Sequence, residues 1–319
     1  MKTEKKFDEE TLGGRLKGYE ADFESTIPYD QYIIVRIDGH KFSKFTKGFT
    51  KPYDSVLSKS MEETTKDLVA KFGAVTGYTQ SDEITLIFKP TYKEKQTQSL
   101  VDCDGFELCK PEIINNQIFG GRIQKISSLV AAYTTMRFNT HLEEQVDKTL
   151  VSEEEYFSNS FRPTPEEDEF RQKRALLKSK VGNAWFDARV FGVPDESEAY
   201  NAVMWRVRDC IKNSKSMFAQ AYCSHKSLLN KTGPEQVEFC KAETGKDWEQ
   251  VDDRYKYGIF VKKEAFLKPT DKGSMDYGQQ DFVRRTRVTS WAEPMTMYDE
   301  VKVDLIIRKL KNEKDTEPV

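Results

Sequence analysis

Two acidic stretches carry the chemistry that this sequence can offer. The first is Val35–Arg36–Ile37–Asp38–Gly39–His40–Lys41–Phe42, and the second is Gly77–Tyr78–Thr79–Gln80–Ser81–Asp82–Glu83. In the first, an apolar run (Tyr32, Ile33, Ile34, Val35) reads as a buried strand over 31–38 that delivers Asp38 to its C-terminal edge, where Gly39 permits a tight turn. In the second, strands at Ala74–Tyr78 and Ile84–Phe88 are joined by an acidic tip of Ser81, Asp82 and Glu83. If the strands lie side by side, both tips converge on one edge of one sheet. Two carboxylates held close together repel, and a hard cation such as Mg²⁺ relieves that repulsion. Paired acids of this kind suit two-metal nucleotidyl transfer. Taken singly, each tip also reads as an ordinary solvated turn.

The elements around these tips must hold them. Residues 41–53 mix lysines, hydroxyls and aromatics (Lys41, Phe42, Ser43, Lys44, Phe45, Thr46, Lys47, Lys51), which fits either a segment wrapped around phosphates or a plain polar loop. A helix is expected over 54–72 behind an Asp54 cap, with Leu57, Met61, Leu68 and Phe72 on one face. A second helix is expected over 120–138, a strand over Trp185–Val190, and a third helix over 196–211 capped by Asp195. The order strand–helix–strand–strand–helix–strand is the split βαββαβ pattern, so the expected class is α+β: a ferredoxin-like palm with a helical C-terminal part. The expected division is a catalytic region over 1–194, with insertions at about 89–118 and 141–180, and a helical, RNA-contacting region over 195–319.

Outside the palm the expectations are coarser. Leu12, Leu16 and Tyr19 predict a short amphipathic helix packed on the body, and the charged stretch 141–180 reads as a mobile surface excursion. Helices are expected over 212–250, then a short strand at Tyr257–Lys262 and a basic, turn-rich tail with Arg284, Arg285 and Arg287. The 319 residues carry a net charge of −3, which argues against general coating of nucleic acid while leaving room for a local basic groove. Five cysteines without a paired framework read as free thiols in a reducing, cytoplasmic setting, and no apolar run reaches the length of a membrane span. Three histidines (His40, His141, His225) leave little basis for a histidine metal centre or a Ser-His-Asp triad.

Several of these segments resemble the tRNA-histidine guanylyltransferase superfamily. Arg36–Phe42 is similar to its R-x-D-G-R-x-F segment, Lys51–Asp54 to K-P-x-D, and Gly77–Glu83 to G-Y-x-Q-S-D-E. Phe186–Arg189 resembles F-D-x-R, and Trp205–Cys210 resembles W-R-x-x-D-x. The resemblance implies nucleotide addition to an RNA 5′ end in the 3′-to-5′ direction, with ATP and GTP or other NTPs as substrates and two Mg²⁺ as cofactors. It implies that Asp38, Asp82 and the Gly39 carbonyl hold metal, and that Glu83 assists catalysis. It also implies that residues 39–43 (Gly39, His40, Lys41, Phe42, Ser43), with Lys44 and Ser81, bind phosphates, and that Lys51 and Asn213 hold a second triphosphate. Two positions depart from the pattern. His40 replaces an arginine, and Ile211–Lys212–Asn213–Ser214 stands where eukaryotic-type members carry H-I-N-N. The second departure resembles the bacterial and archaeal members, which implies template-dependent 5′-end repair of tRNA at the acceptor stem. The alternatives are guanylate addition at position −1 of histidine tRNA, a palm-type nucleotidyl cyclase, or a non-enzymatic RNA-binding protein. The resemblance also implies a homotetramer.

Overall fold

The computed structural model describes residues 11–91, 117–157, 165–269, 282–295 and 300–308. The chain runs α1 (Leu12–Asp22), β1 (Tyr32–Gly39), α2 (Phe42–Phe45), α3 (Ser55–Phe72), β2 (Thr76–Gln80) and β3 (Glu83–Phe88). It continues through α4 (Ile123–Phe157), α5 (Pro165–Lys180), β4 (Phe186–Val193) and α6 (Glu196–Tyr222). The remainder is α7 (His225–Leu228), α8 (Gly233–Thr244), α9 (Asp253–Tyr257), β5 (Ile259–Pro269), β6 (Phe282–Trp291) and α10 (Glu300–Val303). Among the described residues the strands form one sheet in the order β4-β1-β3-β2-β5-β6, every neighbouring pair antiparallel.

Both faces of the sheet are covered, which is why β1 reads as a continuous apolar run. Ile33, Val35 and Ile37 point to one side, where they meet Leu68 of α3 and Ile126, Val130 and Phe138 of α4. Ile34 and Ile87 point to the other side, against Tyr200, Val203 and Val207 of α6. Gly77 on β2 lets α3 come close: a Cβ there would stand 2.7 Å from the Thr65 methyl and 2.9 Å from a Val69 methyl. The segment 300–308 closes the second face with Val303, Ile306 and Ile307. Lys262 is 1% exposed yet satisfied, donating to the carbonyls of Leu305 (2.6 Å) and Ile306 (3.0 Å).

Several expectations are corrected. The helix expected over 120–138 continues to Phe157, with Leu142 and Val146 buried, and α5 buries Leu177; the stretch 141–180 is therefore largely helical and contributes to the core. Charged residues on the outer face of a long helix masked its buried stripe. The α1 helix forms behind a Thr11 cap but buries none of its residues, and Leu12, Leu16 and Tyr19 stay exposed rather than packed on the body. The last expected strand is twice the anticipated reach, Ile259–Pro269, and Arg284, Arg285 and Arg287 lie on strand β6 instead of in a turn-rich tail. The third helix extends from 211 to Tyr222. Most of the insertion expected at 89–118, with Cys103 and Cys109, lies outside the described residues. Cys210, Cys223 and Cys240 are free thiols, as expected. No described helix is long and apolar enough to cross a membrane.

One buried ion cluster joins three elements. Glu62 of α3 accepts from Lys66 (2.9 Å) and Lys59 (3.1 Å), takes a hydrogen bond from Ser290 of β6, and has Arg254 of α9 at 3.8 Å. Burial alone pushes this carboxyl up, but the hydrogen bonds from Ser290, Lys66 and Lys59 win and hold it at about 2, below its ordinary 4.5. The folded value lies below the unfolded one. The cluster's stabilisation is therefore complete above about pH 4.5 and disappears as pH falls towards about 2. Glu62→Gln should cost about 2 kcal/mol at neutral pH. It should also flatten the acid limb of stability, measured by urea unfolding between pH 7 and 3.

Candidate active site

The acidic tips meet because of strand register. Asp38, near the end of β1, stands directly opposite Glu83 of β3 on one side and Asp187 of β4 on the other. The Gly39 amide donates to the Asp82 carbonyl at 3.1 Å, which pins the β2–β3 tip against the end of β1. Ser81 adopts a left-handed φ of 50° to make that tip. After Gly39 the chain turns at once. A Cβ at Gly39 would stand 2.3 Å from the Phe42 ring, so glycine is required by the close approach. Phe42 is 3% exposed and packs with Phe45 (4.8 Å between centroids), Phe186 (5.0 Å) and Phe138 (5.6 Å).

The crowding of acids is visible in their protonation. Burial pushes the Asp38 carboxyl up, the charges of Glu83 and Asp187 push it further, and Arg189 and Arg36 oppose them. Asp82 is pushed up to about 6, first by burial. Its own amide and the Ser81 hydroxyl pull down, while Asp38 and Glu83 push up. Glu83 differs from both: Gln80 donates to it at 2.6 Å and Arg206 at 3.1 Å and 2.5 Å. Arg206 is 5% exposed and also pairs with Asp209 at 3.0 Å. The centre thus offers two raised aspartates beside a glutamate already neutralised by a buried guanidinium. All of its donors are oxygens, the ligand set of a hard divalent cation. Among the described residues no group of three or more histidine, cysteine or acidic side chains has the arrangement of a preformed metal site.

The other expected residues divide between two places. His40, Lys41, Ser43 and Lys44 are exposed beside the acidic edge, on or just before the one-turn helix α2. The amide of His40 is already bonded to the Trp185 carbonyl (2.8 Å), and that of Gly39 to Asp82. Among the described residues no backbone hydrogen bond is formed by the amides of 41–43 at the start of that turn. Lys51, Ser81 and Asn213 come together elsewhere, around a cavity of about 170 Å³ between the 46–54 loop, the tip of β2, α6 and α9. A water needs roughly 10–15 Å³, so the space admits a group the size of a ring. Its wall is rigid: Tyr53 stacks on Tyr255 (4.6 Å, 6°) and donates to the Ser214 carbonyl at 2.9 Å, while Trp248 donates to the Ser214 hydroxyl at 3.0 Å.

Sequence reasoning assigned no role to Asp187, Arg189 or Arg206. All three lie in motifs that were legible, but their placement beside Asp38 and Glu83 depends on pairing with β4 and on the crossing of α6.

Comparison with known proteins agrees with this arrangement. The family model described as tRNAHis guanylyltransferase (Thg1) matches residues 13–194. A protein of Acanthamoeba polyphaga mimivirus, uncharacterized protein R259, is 33% identical over 269 residues, covering 83% of this chain and 82% of that protein. Among solved structures, a bacterial tRNA(His) guanylyltransferase-like protein in complex with ATP superposes with a TM-score of 0.57 at 30% identity, covering 80% of this chain and 87% of that one. A bacterial tRNA(His) guanylyltransferase-like protein in complex with GTP gives 0.55 at 26% identity, covering 87% and 90%. The chain belongs to the tRNAHis guanylyltransferase family of nucleotidyltransferases.

Proposed function

We propose that this protein adds nucleotides to the 5′ end of tRNA in the 3′-to-5′ direction, choosing each by pairing with the opposite strand of the acceptor stem. The observation that carries the reading is the meeting of Asp38 and Asp82 at one sheet edge, with the Lys51–Ser81–Asn213 cavity beside it. The first four strands in the order β4-β1-β3-β2 support a ferredoxin-like palm. The catalytic groups fall within 1–194, and 195–319 supplies the cavity's second wall and contacts to RNA. The sequence Ile211–Lys212–Asn213–Ser214 and the likeness to bacterial relatives bound to ATP and GTP favour repair over dedicated guanylylation of histidine tRNA.

In this reading the 3′-hydroxyl of an incoming NTP attacks the activated 5′ phosphorus of the RNA and displaces AMP or pyrophosphate. The Asp38 and Asp82 carboxylates and the Gly39 carbonyl would hold two Mg²⁺, with phosphates and water filling the other positions. Those ions, when bound, neutralise charge on the transferred phosphoryl group. Amides of 41–43, with Ser43 and Lys44, hold one triphosphate. Lys51, Ser81 and Asn213 hold another in the cavity. Glu83 acts through Arg206 and Gln80, keeping the acidic tip in place. His40, exposed beside the acidic edge, offers an imidazole able to share a hydrogen bond with a phosphate or base. No histidine base is needed, because oriented charge carries this kind of transfer. Assembly as a homotetramer and a cytoplasmic location complete the reading; the free thiols support the latter.

The test is extension of a tRNA lacking its first nucleotide, given ATP, Mg²⁺ and each NTP in turn. Extension by the nucleotide complementary to the opposing base is expected, and guanylate addition whatever the opposing base would replace repair by guanylylation. Asp82→Asn should lower the rate at least a hundredfold, the scale of lost electrostatic stabilisation, with RNA affinity retained. Lys51→Ala and Asn213→Ala should each raise KM for the incoming NTP by about tenfold, as expected for one charge-assisted contact, with the acidic tip intact.

A further inference from the structure

We infer that Trp205, with Arg36, Arg189 and Phe191, forms a stacking track for nucleobases of the RNA substrate, leading away from the acidic edge. The inference rests on the 5′-end reading and adds residues that it does not use. On the face of β1 that carries Asp38, the next side chain back is Arg36, and its register partner on β4 is Arg189. Arg189 is 53% exposed and lies 3.9 Å from Asp38 and 3.6 Å from Asp187. One step further along the exposed side of β4 stands Phe191, 36% exposed. Trp205 of α6 is 49% exposed, with the guanidinium of Arg36 at 5.1 Å from its ring centroid and that of Arg206 at 4.5 Å.

These residues are built in a way that bulk surface is not. Met204, Arg206 and Val207 beside Trp205 are buried, so helix α6 holds the indole in a fixed position while leaving half of it in water. The Arg36 Nε is buried with no hydrogen-bond partner among the described residues, and the guanidinium meets the Trp205 ring instead. Among the described residues β4 is an edge strand, and Arg189 and Phe191 lie on its exposed side. Exposed aromatic rings interleaved with guanidinium groups are the surface on which unpaired nucleobases stack, with the cations meeting the phosphates. Asp38 and Asp187 beside Arg189, and Asp209 on Arg206, offset part of the charge, and the guanidinium groups of Arg36 and Arg189 are the ones placed to meet RNA phosphates. An RNA end bound there would run directly into the pair Asp38 and Asp82.

The experiment uses the full chain and a fluorescein-labelled tRNA lacking its first nucleotide, titrated without NTP at fixed salt. Trp205→Leu should weaken RNA binding about tenfold, the scale of one lost base stack, and Trp205→Phe should restore most of it. Phe191→Ala, on a separate element, should weaken it by severalfold. GTP affinity measured without RNA should hold in all three, and unchanged melting temperatures exclude unfolding; if Trp205→Leu fails to fold, Trp205→Phe and Phe191→Ala still decide. RNA affinity within twofold of wild type in Trp205→Leu and Phe191→Ala overturns the inference. So does a fall in kcat with RNA affinity unchanged, which would make Trp205 only a prop for Arg206. A wild-type protein that binds RNA but adds no nucleotide removes the proposed activity and leaves the track standing.

Discussion

The repulsion among carboxylates at one end of the sheet is the constraint on which this structure is organised. Antiparallel register sets Asp38 between Glu83 and Asp187, and the Gly39 amide draws Asp82 onto the same edge. Left alone, four acids at this spacing would oppose folding, and the structure answers in three ways. A buried guanidinium, Arg206, neutralises Glu83; Arg189 lies across Asp38 and Asp187; and Asp82 has its carboxyl pushed up to about 6. The first two answers are permanent. The third leaves Asp82 with no ion pair among the described residues and its carboxyl raised, the kind of perturbed acid that marks a functional site.

The rest of the fold serves the precision of that edge. Helices cover both faces of the sheet, so the strand ends cannot shift relative to one another without disturbing a packed core. Phe42 locks the turn after Asp38 into the aromatic cluster, and Tyr53, Ser214 and Trp248 brace the cavity next to it. Helix α6 links the two places, since it carries Arg206 at the acidic edge and Asn213 and Ser214 at the cavity. A displacement of that helix would move both at once.

Much of this was legible in the sequence. The apolar run before Asp38 reads as one strand, the stretches flanking Ser81–Asp82–Glu83 read as two more, and Gly39 marks the turn. Asp54 capped its helix as expected, accepting from the Leu57 amide at 3.0 Å. What stayed hidden depended on non-local pairing. Asp187 and Arg189 look like ordinary strand residues until β4 lies against β1. The charged face of α4 obscured Leu142 and Val146, and the arginines of β6 hid a strand because Arg287 pairs across to the buried Glu264 at 2.7 Å. Leu12, Leu16 and Tyr19 carried a helical pattern, but a pattern alone does not say that the body of the protein will cover it.

The most direct test of the central claim is the melting temperature of the wild type and of Asp82→Asn, each with and without millimolar Mg²⁺. A cation held between Asp38 and Asp82 binds the folded state alone, so Mg²⁺ should raise the wild-type melting temperature by about 2 °C or more. Asp82→Asn should melt above the wild type without Mg²⁺, because one repelling charge has gone, and should gain little when it is added. A wild type indifferent to Mg²⁺, or an Asp82→Asn variant that gains as much, would contradict the account.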